Sequence, residues 1–196
     1  MSIEDERVAF YLRNRKQLEE WFEIRAEAAA AMDEWLALLK PEVETLVAEL
    51  AGDVELIASL GEEQQFPGFF LKRISWPGTD RDATVLIGLQ WSRGKTLLAT
   101  GSGPWVVVRS EKATPVGSGL RDNDEFTARR KERKDKSSQS WAAYGSVLPL
   151  PEEPFPEQAD GYRRVLLDSI RQAWKAYADL VDKVITNSVS VSRPQV

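Results

Sequence analysis

Residues 5–40 contain neither glycine nor proline, and their apolar side chains recur at alternating four- and three-residue steps. This spacing is typical of the a/d seam of a helix that packs against another helix. One continuous helix over this segment would be about 54 Å long at 1.5 Å per residue. Because that length exceeds what one small sheet can cover, we expect part of the helix to need another helical partner. The seam consists of Tyr11, Leu18, Phe22, Ala29, Met32, Leu36 and Leu39.

Two arginines, Arg15 and Arg25, interrupt this seam. A buried arginine needs a paired acid, and the candidates are Glu19, Asp179 or an acid of another chain. The apolar surface on more than one side of the helix predicts a homodimer or a dedicated protein partner. The alternative is that the C-terminal helix and the sheet cover the first helix completely.

A second helix is expected to begin at Pro41, because proline suits the first turn of a helix. Gly52 would end it, and residues 54–60 are interpreted as a further helical turn. These assignments make residues 1–60 a helical region.

A four-stranded antiparallel β-meander is predicted over residues 69–110, because the links between the strands are too short for parallel crossovers. The predicted strands are residues 69–76, 83–92, 96–100 and 104–110. Apolar residues of the second strand alternate onto one face, which makes Trp91 a predicted core residue. Gly94 can supply the positive φ of the turn that follows.

The chain from 111 to 156 is charged and then proline-rich, and it is predicted to be loop. Its charged part is either a solvated helix capped by Asp122 or Asp124, or disordered. Residues 157–187 repeat the seam spacing and predict a long helix, and residues 188–196 predict a frayed tail. We therefore expect a single α+β domain over residues 1–196, whose long N- and C-terminal helices pack together and against the meander.

The sequence contains no histidine and no cysteine. This composition excludes Ser-His-Asp triads, cysteine nucleophiles and structural zinc sites. We therefore predict no catalytic residue, no metal ligand and no cofactor. A carboxylate enzyme that uses a divalent cation is the remaining catalytic alternative.

The overall charge and hydropathy of the chain indicate which partners to expect. A net charge of −5 argues against a protein that coats nucleic acid over its whole surface. No stretch reaches the roughly 18 apolar residues that span a bilayer, and the acidic start does not resemble a signal peptide. A cytoplasmic protein without a membrane partner is expected.

The leading hypothesis for function is a non-catalytic interaction or regulatory module, which binds a protein partner or itself through its long helices and the rim of its sheet. Tryptophan and arginine are the residue types enriched where partners bind. The predicted protein-binding residues are Trp76, Trp105, Arg73 and Arg109 at the sheet rim, and Trp21 and Trp35 on the first helix.

A concentrated basic run gives an alternative function, nucleic-acid binding by phosphate contacts that depend on salt. No aromatic residue lies inside the run, although Trp141 and Tyr144 follow it and could stack on bases. The simpler interpretation is a solvated loop. The run consists of Arg129, Arg130, Lys131, Arg133, Lys134 and Lys136.

Overall fold

The computed structural model describes residues 5–50, 52–78, 85–96, 103–149 and 157–191, with side chains described as far as residue 187. Helices and one antiparallel sheet make up this part of the chain, so the predicted α+β class is confirmed.

The first helix, α1, runs from Glu6 to Ala37, close to the bounds that its sequence predicts. Asp5 caps it, because its Oδ1 accepts a hydrogen bond from the amide of Arg7 at 2.9 Å. The second helix, α2 (Lys40–Glu49), carries Pro41 in its first turn, as expected.

The sheet is a meander of five strands in the order β1-β2-β3-β4-β5, and every neighbouring pair is antiparallel. The antiparallel meander is confirmed, whereas the predicted number of four strands is corrected to five among the described residues. The strands are β1 (Val54–Ser59), β2 (Gly68–Arg73), β3 (Leu86–Gln90), β4 (Trp105–Arg109) and β5 (Trp141–Val147).

Two of these strands occupy residues for which the sequence predicted a different structure. β1 occupies residues predicted to be a helical turn, and it pairs with β2 in a register that sets Val54 against Arg73. β5 occupies part of the predicted loop and pairs with β4. Of the predicted strand 96–100, residues 97–100 lie outside the described residues. β3 pairs directly with β4, so that no strand lies between them.

Two short helices, α3 (Pro115–Asp122) and α4 (Asp124–Glu132), also lie in the predicted loop. Of the two states considered for the charged part, the structure shows the helix. Its cap is Asn123 and not an aspartate, since the Asn123 Oδ1 accepts from the amide of Phe126 at 2.8 Å. This bond satisfies one of the free amides of the first turn.

The last helix, α5 (Ala159–Val191), corresponds to the helix predicted over 157–187 and continues through residues 188–191. It packs across one face of the sheet and against α2, α3 and α4. This inner face carries the main core, which includes Trp91 at 1% exposure, as predicted. The outer face carries a smaller cluster formed by Phe70, Leu86, Trp105 and Val107.

The two long helices meet near the end of α1. The ring of Trp35 stacks on Tyr162 of α5 with 6.0 Å between the ring centres, and the Arg163 guanidinium lies 5.3 Å from the centre of the Trp35 ring. Residues 6–28 of α1 contain no buried side chain. The predicted packing of the two helices is therefore confined to the last turns of α1.

Candidate functional site

A long part of α1 carries large apolar side chains on its surface. We call residues 6–28 the α1 arm. Within it, Phe10 is 61% exposed, Trp21 is 58% exposed and Phe22 is 56% exposed. The same seam is buried further along, where Ala29, Met32 and Leu36 enter the core. The apolar stripe that anchors α1 to the domain thus continues uncovered along the arm.

The charges of the α1 arm are divided between its two halves. All basic residues of the arm except Arg25 occur in its first half. The acidic residues occur mainly in its second half. The basic residues are Arg7, Arg13, Arg15 and Lys16, and the acidic residues of the second half are Glu19, Glu20, Glu23 and Glu27. Glu6 lies in the first turn, where a negative charge favours the helix.

Arg15, expected to need a paired acid, lies 3.7 Å from Glu19 at an exposed position. Glu19 Oε1 also accepts from the Tyr11 hydroxyl at 3.3 Å. Of the two predicted acids of this chain, Glu19 is thus the partner of Arg15, whereas Asp179 pairs with Arg73. The exposed arginine leaves the seam accessible.

The predicted binding residues Trp76 and Arg73 contribute to the interior of the structure. Trp76 is 2% exposed, and its ring stacks on Trp174 of α5 with 5.5 Å between the centres. Arg73 donates from Nε to Asp182 at 2.8 Å and lies over the Trp174 ring. The surface position expected for Trp76 is therefore corrected: its ring belongs to the core between β2 and α5.

The outer face of the sheet brings three aromatic rings together at β4 and β5. Trp105, Trp141 and Tyr144 form edge-to-face pairs, with 6.0 Å between the centres of the two indoles and 5.3 Å between Trp141 and Tyr144. Trp105 is 9% exposed and its indole N–H has no hydrogen-bond partner. A buried donor without an acceptor is uncommon, although the indole N–H of the core residue Trp91 shares this property.

These rings line a cleft of about 370 Å³ that three lysines also line, Lys95, Lys134 and Lys136. We call it the tryptophan–lysine cleft. Among the described residues, no acidic residue lines it, and none of its three lysines forms an ion pair. A cleft lined by both lysines and aromatic rings is suited to an anion that carries a planar ring.

Lys134 holds an unusual backbone conformation, with φ at 59°. It follows the C-cap of α4, where the amide of Lys134 donates to the carbonyl of Lys131 and the amide of Asp135 donates to that of Arg130. This is the Schellman arrangement, in which glycine is usual because a side chain is strained there. The strained lysine lies at the cleft.

The segment that carries Lys134 and Lys136 is fixed to α5. Asp135 Oδ2 accepts from the Tyr177 hydroxyl at 2.6 Å and from Arg133 Nε at 3.1 Å. Burial and the Asp135 hydrogen bond raise the pKa of the Tyr177 hydroxyl, so it keeps its proton and remains a donor. The backbone of Lys136 pairs in both directions with Tyr144.

The basic run does not act as one surface in the structure. Arg129 pairs with Glu132 and Arg130 contacts the Ser137 hydroxyl, whereas Lys131 is exposed. Arg133 is committed to Asp135 and to the Tyr177 ring. Only Lys134 and Lys136 of the run line the cleft. The sequence indicated this grouping weakly, because Trp141 and Tyr144 follow the run closely.

The fourth predicted rim residue, Arg109, is exposed and lines a second cleft on the outer face. This cleft has a volume of about 420 Å³ and lies beside β1. Glu63 lines it as well, so this cleft has both a basic and an acidic lining residue. It lacks the single sign of charge that characterises the tryptophan–lysine cleft.

No group of three carboxylates in the described part of the chain could hold a metal ion. Across the same residues, no helix has both the length and the apolar character that crossing a bilayer requires. Comparison of the chain with protein-family models, curated proteins and solved structures found no match.

Proposed function

We propose that the protein is a non-catalytic interaction module whose α1 arm pairs antiparallel with the arm of a second copy. The observation that supports this most strongly is the exposure of Phe10, Trp21 and Phe22 on one helix. Monomeric proteins rarely leave contiguous large apolar side chains uncovered, and such patches mark sites of association.

The distribution of charge supports a second copy as the occupant. In an antiparallel pair, the basic half of each arm lies beside the acidic half of the other arm, so unlike charges meet at both ends of the pair. A parallel partner would set like charges together, which is unfavourable. An alignment centred near Leu18 also brings the seam residues Tyr11 and Arg25 of opposite copies together, since each is seven positions from Leu18.

The apolar area is sufficient for a reversible dimer. About five large side chains on each arm, each covering on the order of 100 Å² on association, give a total near 1,000 Å². This lies at the lower end of specific interfaces, for which we expect a dissociation constant on the order of micromolar.

Sedimentation equilibrium over a range of concentrations tests the proposal. The wild-type protein should form a concentration-dependent dimer, and Trp21→Ser with Phe22→Ser should leave it monomeric. Leu38→Ser is the matched control, because Leu38 is 66% exposed but lies outside the arm. A wild-type monomer throughout, or a dimer that survives the double substitution, would refute pairing through the arm.

Reversing the charge of one half of the α1 arm tests whether the basic half of one copy pairs with the acidic half of the other. One variant carries lysine at Glu19, Glu20 and Glu23, and a second carries glutamate at Arg13, Arg15 and Lys16. Each variant alone should be monomeric because its arm has mainly one sign of charge. An equimolar mixture should form the mixed dimer, and a mixture that stays monomeric would count against electrostatic pairing.

Cross-linking tests the antiparallel orientation, since the chain has no cysteine of its own. Tyr11→Cys protein mixed with Arg25→Cys protein should form a disulfide-linked pair under mild oxidation. Tyr11→Cys protein alone should not, because antiparallel arms hold the two introduced thiols far apart. The opposite result would indicate parallel arms.

A further inference from the structure

We propose that the tryptophan–lysine cleft binds a nucleotide, with the base against the aromatic rings and the phosphate among the lysines. This site is on the outer face of the sheet and does not depend on pairing of the α1 arms. The nucleotide is either free or a unit of a single strand, because both present the same base and phosphate.

The first support is the composition of the cleft. Trp105, Trp141 and Tyr144 give it aromatic walls, and its volume of about 370 Å³ lies within the range of small-molecule sites. A base has a π-face whatever its identity, so aromatic side chains bind bases by stacking. Among the residues that line the cleft, the indole N–H of Trp105 is also a buried donor without a partner.

The second support is the uncompensated positive charge. Lys95 is contributed by the turn after β3, whereas Lys134 and Lys136 follow α4. Lys95 is distant in sequence from the other two lysines, yet all three line one cleft, and no acidic residue of the described ranges lines it with them. Three ammonium groups can donate several charge-assisted hydrogen bonds to a phosphate.

The third support is the conformation of Lys134. A positive φ of 59° is unfavourable for lysine, and glycine would fill the same position without strain. Strained residues that persist in a fold tend to occur at binding sites. Glycine at this position would leave the cleft with two lining lysines instead of three.

Isothermal titration calorimetry on the full chain tests the site with four probes: AMP, adenosine, inorganic phosphate and a short single-stranded oligonucleotide. AMP should bind at least about tenfold more tightly than adenosine or phosphate, since stacking and charge contribute together. Equal affinity for AMP and the oligonucleotide assigns a free nucleotide. Tighter binding of the oligonucleotide, with steep salt dependence, assigns a strand. Both results support the site.

Substitutions distinguish AMP binding in the tryptophan–lysine cleft from AMP binding to the basic run as a whole. Lys134→Ala and Lys134→Gly should each weaken AMP binding by about tenfold. Lys131→Ala is the matched control, because Lys131 belongs to the same run but does not line the cleft, and it should change affinity less than about twofold. The glycine variant should also melt at a higher temperature, so its loss of affinity cannot come from unfolding.

Two results would overturn the proposal. One is the absence of binding of both AMP and the oligonucleotide to the folded wild-type protein at millimolar concentration. The other is an equal loss of affinity in the Lys131 and Lys134 variants, which would assign the phosphate contact to the run as a whole. Neither result bears on dimerisation through the α1 arm.

Discussion

The indole nitrogen of Trp76 donates a hydrogen bond to Oδ1 of Asp182 at 2.6 Å. The other carboxylate oxygen accepts from Arg73 at 2.8 Å. The Asp182 side chain of α5 thus binds both Arg73, the last residue of β2, and Trp76, three residues further along the chain. This contact explains why Trp76 and Arg73 contribute to the interior, although tryptophan and arginine are residue types enriched at binding surfaces.

Replacing Asp182 by alanine should lower the free energy of unfolding by about 2–3 kcal/mol, because the buried indole N–H loses its acceptor and Arg73 loses its closer partner. Urea denaturation measures the change. Asp179→Ala is the control, since Asp179 also pairs with Arg73 but is 84% exposed, and it should cost less than about 0.5 kcal/mol. Equal effects would show that the indole bond contributes little.

Asp33 should make stability depend on pH. This residue is 7% exposed, and its Oδ2 accepts from the amide of Gly94 at 2.6 Å. Burial raises the pKa of the carboxyl above its ordinary value of 3.8, although the Gly94 amide, Arg93 and the Trp91 side chain act in the opposite direction. The native state therefore binds this proton more tightly than the unfolded chain.

It follows that ionised Asp33 reduces stability at neutral pH, and that the loss is recovered as the pH falls from the raised pKa towards 3.8. Asp33→Asn should raise the free energy of unfolding at pH 7 by about 1 kcal/mol, and this gain should shrink near pH 4. Chemical denaturation at both pH values measures it. Glu34→Gln, on the exposed side of the helix, should give no such gain, and a gain for Asp33→Asn that grows on acidification would contradict the sign.

Lys134→Gly should stabilise the protein by about 1 kcal/mol relative to Lys134→Ala, because only glycine adopts a φ of 59° without strain. Thermal melting of the two variants measures the difference. The comparison holds charge constant, since both variants lack the ammonium group. Equal melting temperatures would show that the backbone relaxes at this position.

Gly88→Ala should prevent folding or cost about 4 kcal/mol or more. A Cβ at this position in β3 would lie inside contact distance of the Phe69 carbonyl oxygen and 2.7 Å from the Cα of Phe70. Backbone atoms of a neighbouring strand cannot move away cheaply. Gly145→Ala is the control in β5, where the nearest atom is an Asp135 oxygen at 3.4 Å. Circular dichroism and urea denaturation distinguish them, and comparable stability would mean that β2 and β3 can separate.

The long helices and the start of α2 were predictable because their signals are local, whereas the predicted aspartate cap of α4 was wrong. The four- and three-residue spacing predicted α1 and α5, and Pro41 lies in the first turn of α2 as expected. Gly94 has the positive φ that its turn requires, at 65°. Alternation predicted the buried face of β3 for the same reason, since neighbouring positions of a strand face opposite sides.

The two strands that the sequence did not predict depend on distant partners. β5 contains two alanines and a glycine, residue types that are depleted in strands, and it becomes a strand because it pairs with β4. β1 follows α2 closely and has no strong strand signal until β2 pairs with it. Strand formation that depends on a distant partner is only weakly indicated by the local pattern of apolar and polar residues.

The candidate site was predictable only in its parts. The sequence indicated the exposed Trp21 of the arm and the lysines of the basic run, but it could not indicate that Lys95 meets Lys134. That meeting requires β4 and β5 to be neighbours in the sheet, and β5 was not predicted. The burial of Trp76 likewise depends on Asp182, more than a hundred positions away.

The strict order of the strands has a consequence for synthesis on the ribosome. Each strand pairs with its neighbour along the chain, so the sheet needs only modest loop closures to form. The helix that covers its inner face comes after all five strands. A nascent sheet therefore presents Leu89 and Trp91 to solvent until α5 emerges, and this interval is when the growing chain is most exposed to aggregation or chaperone capture.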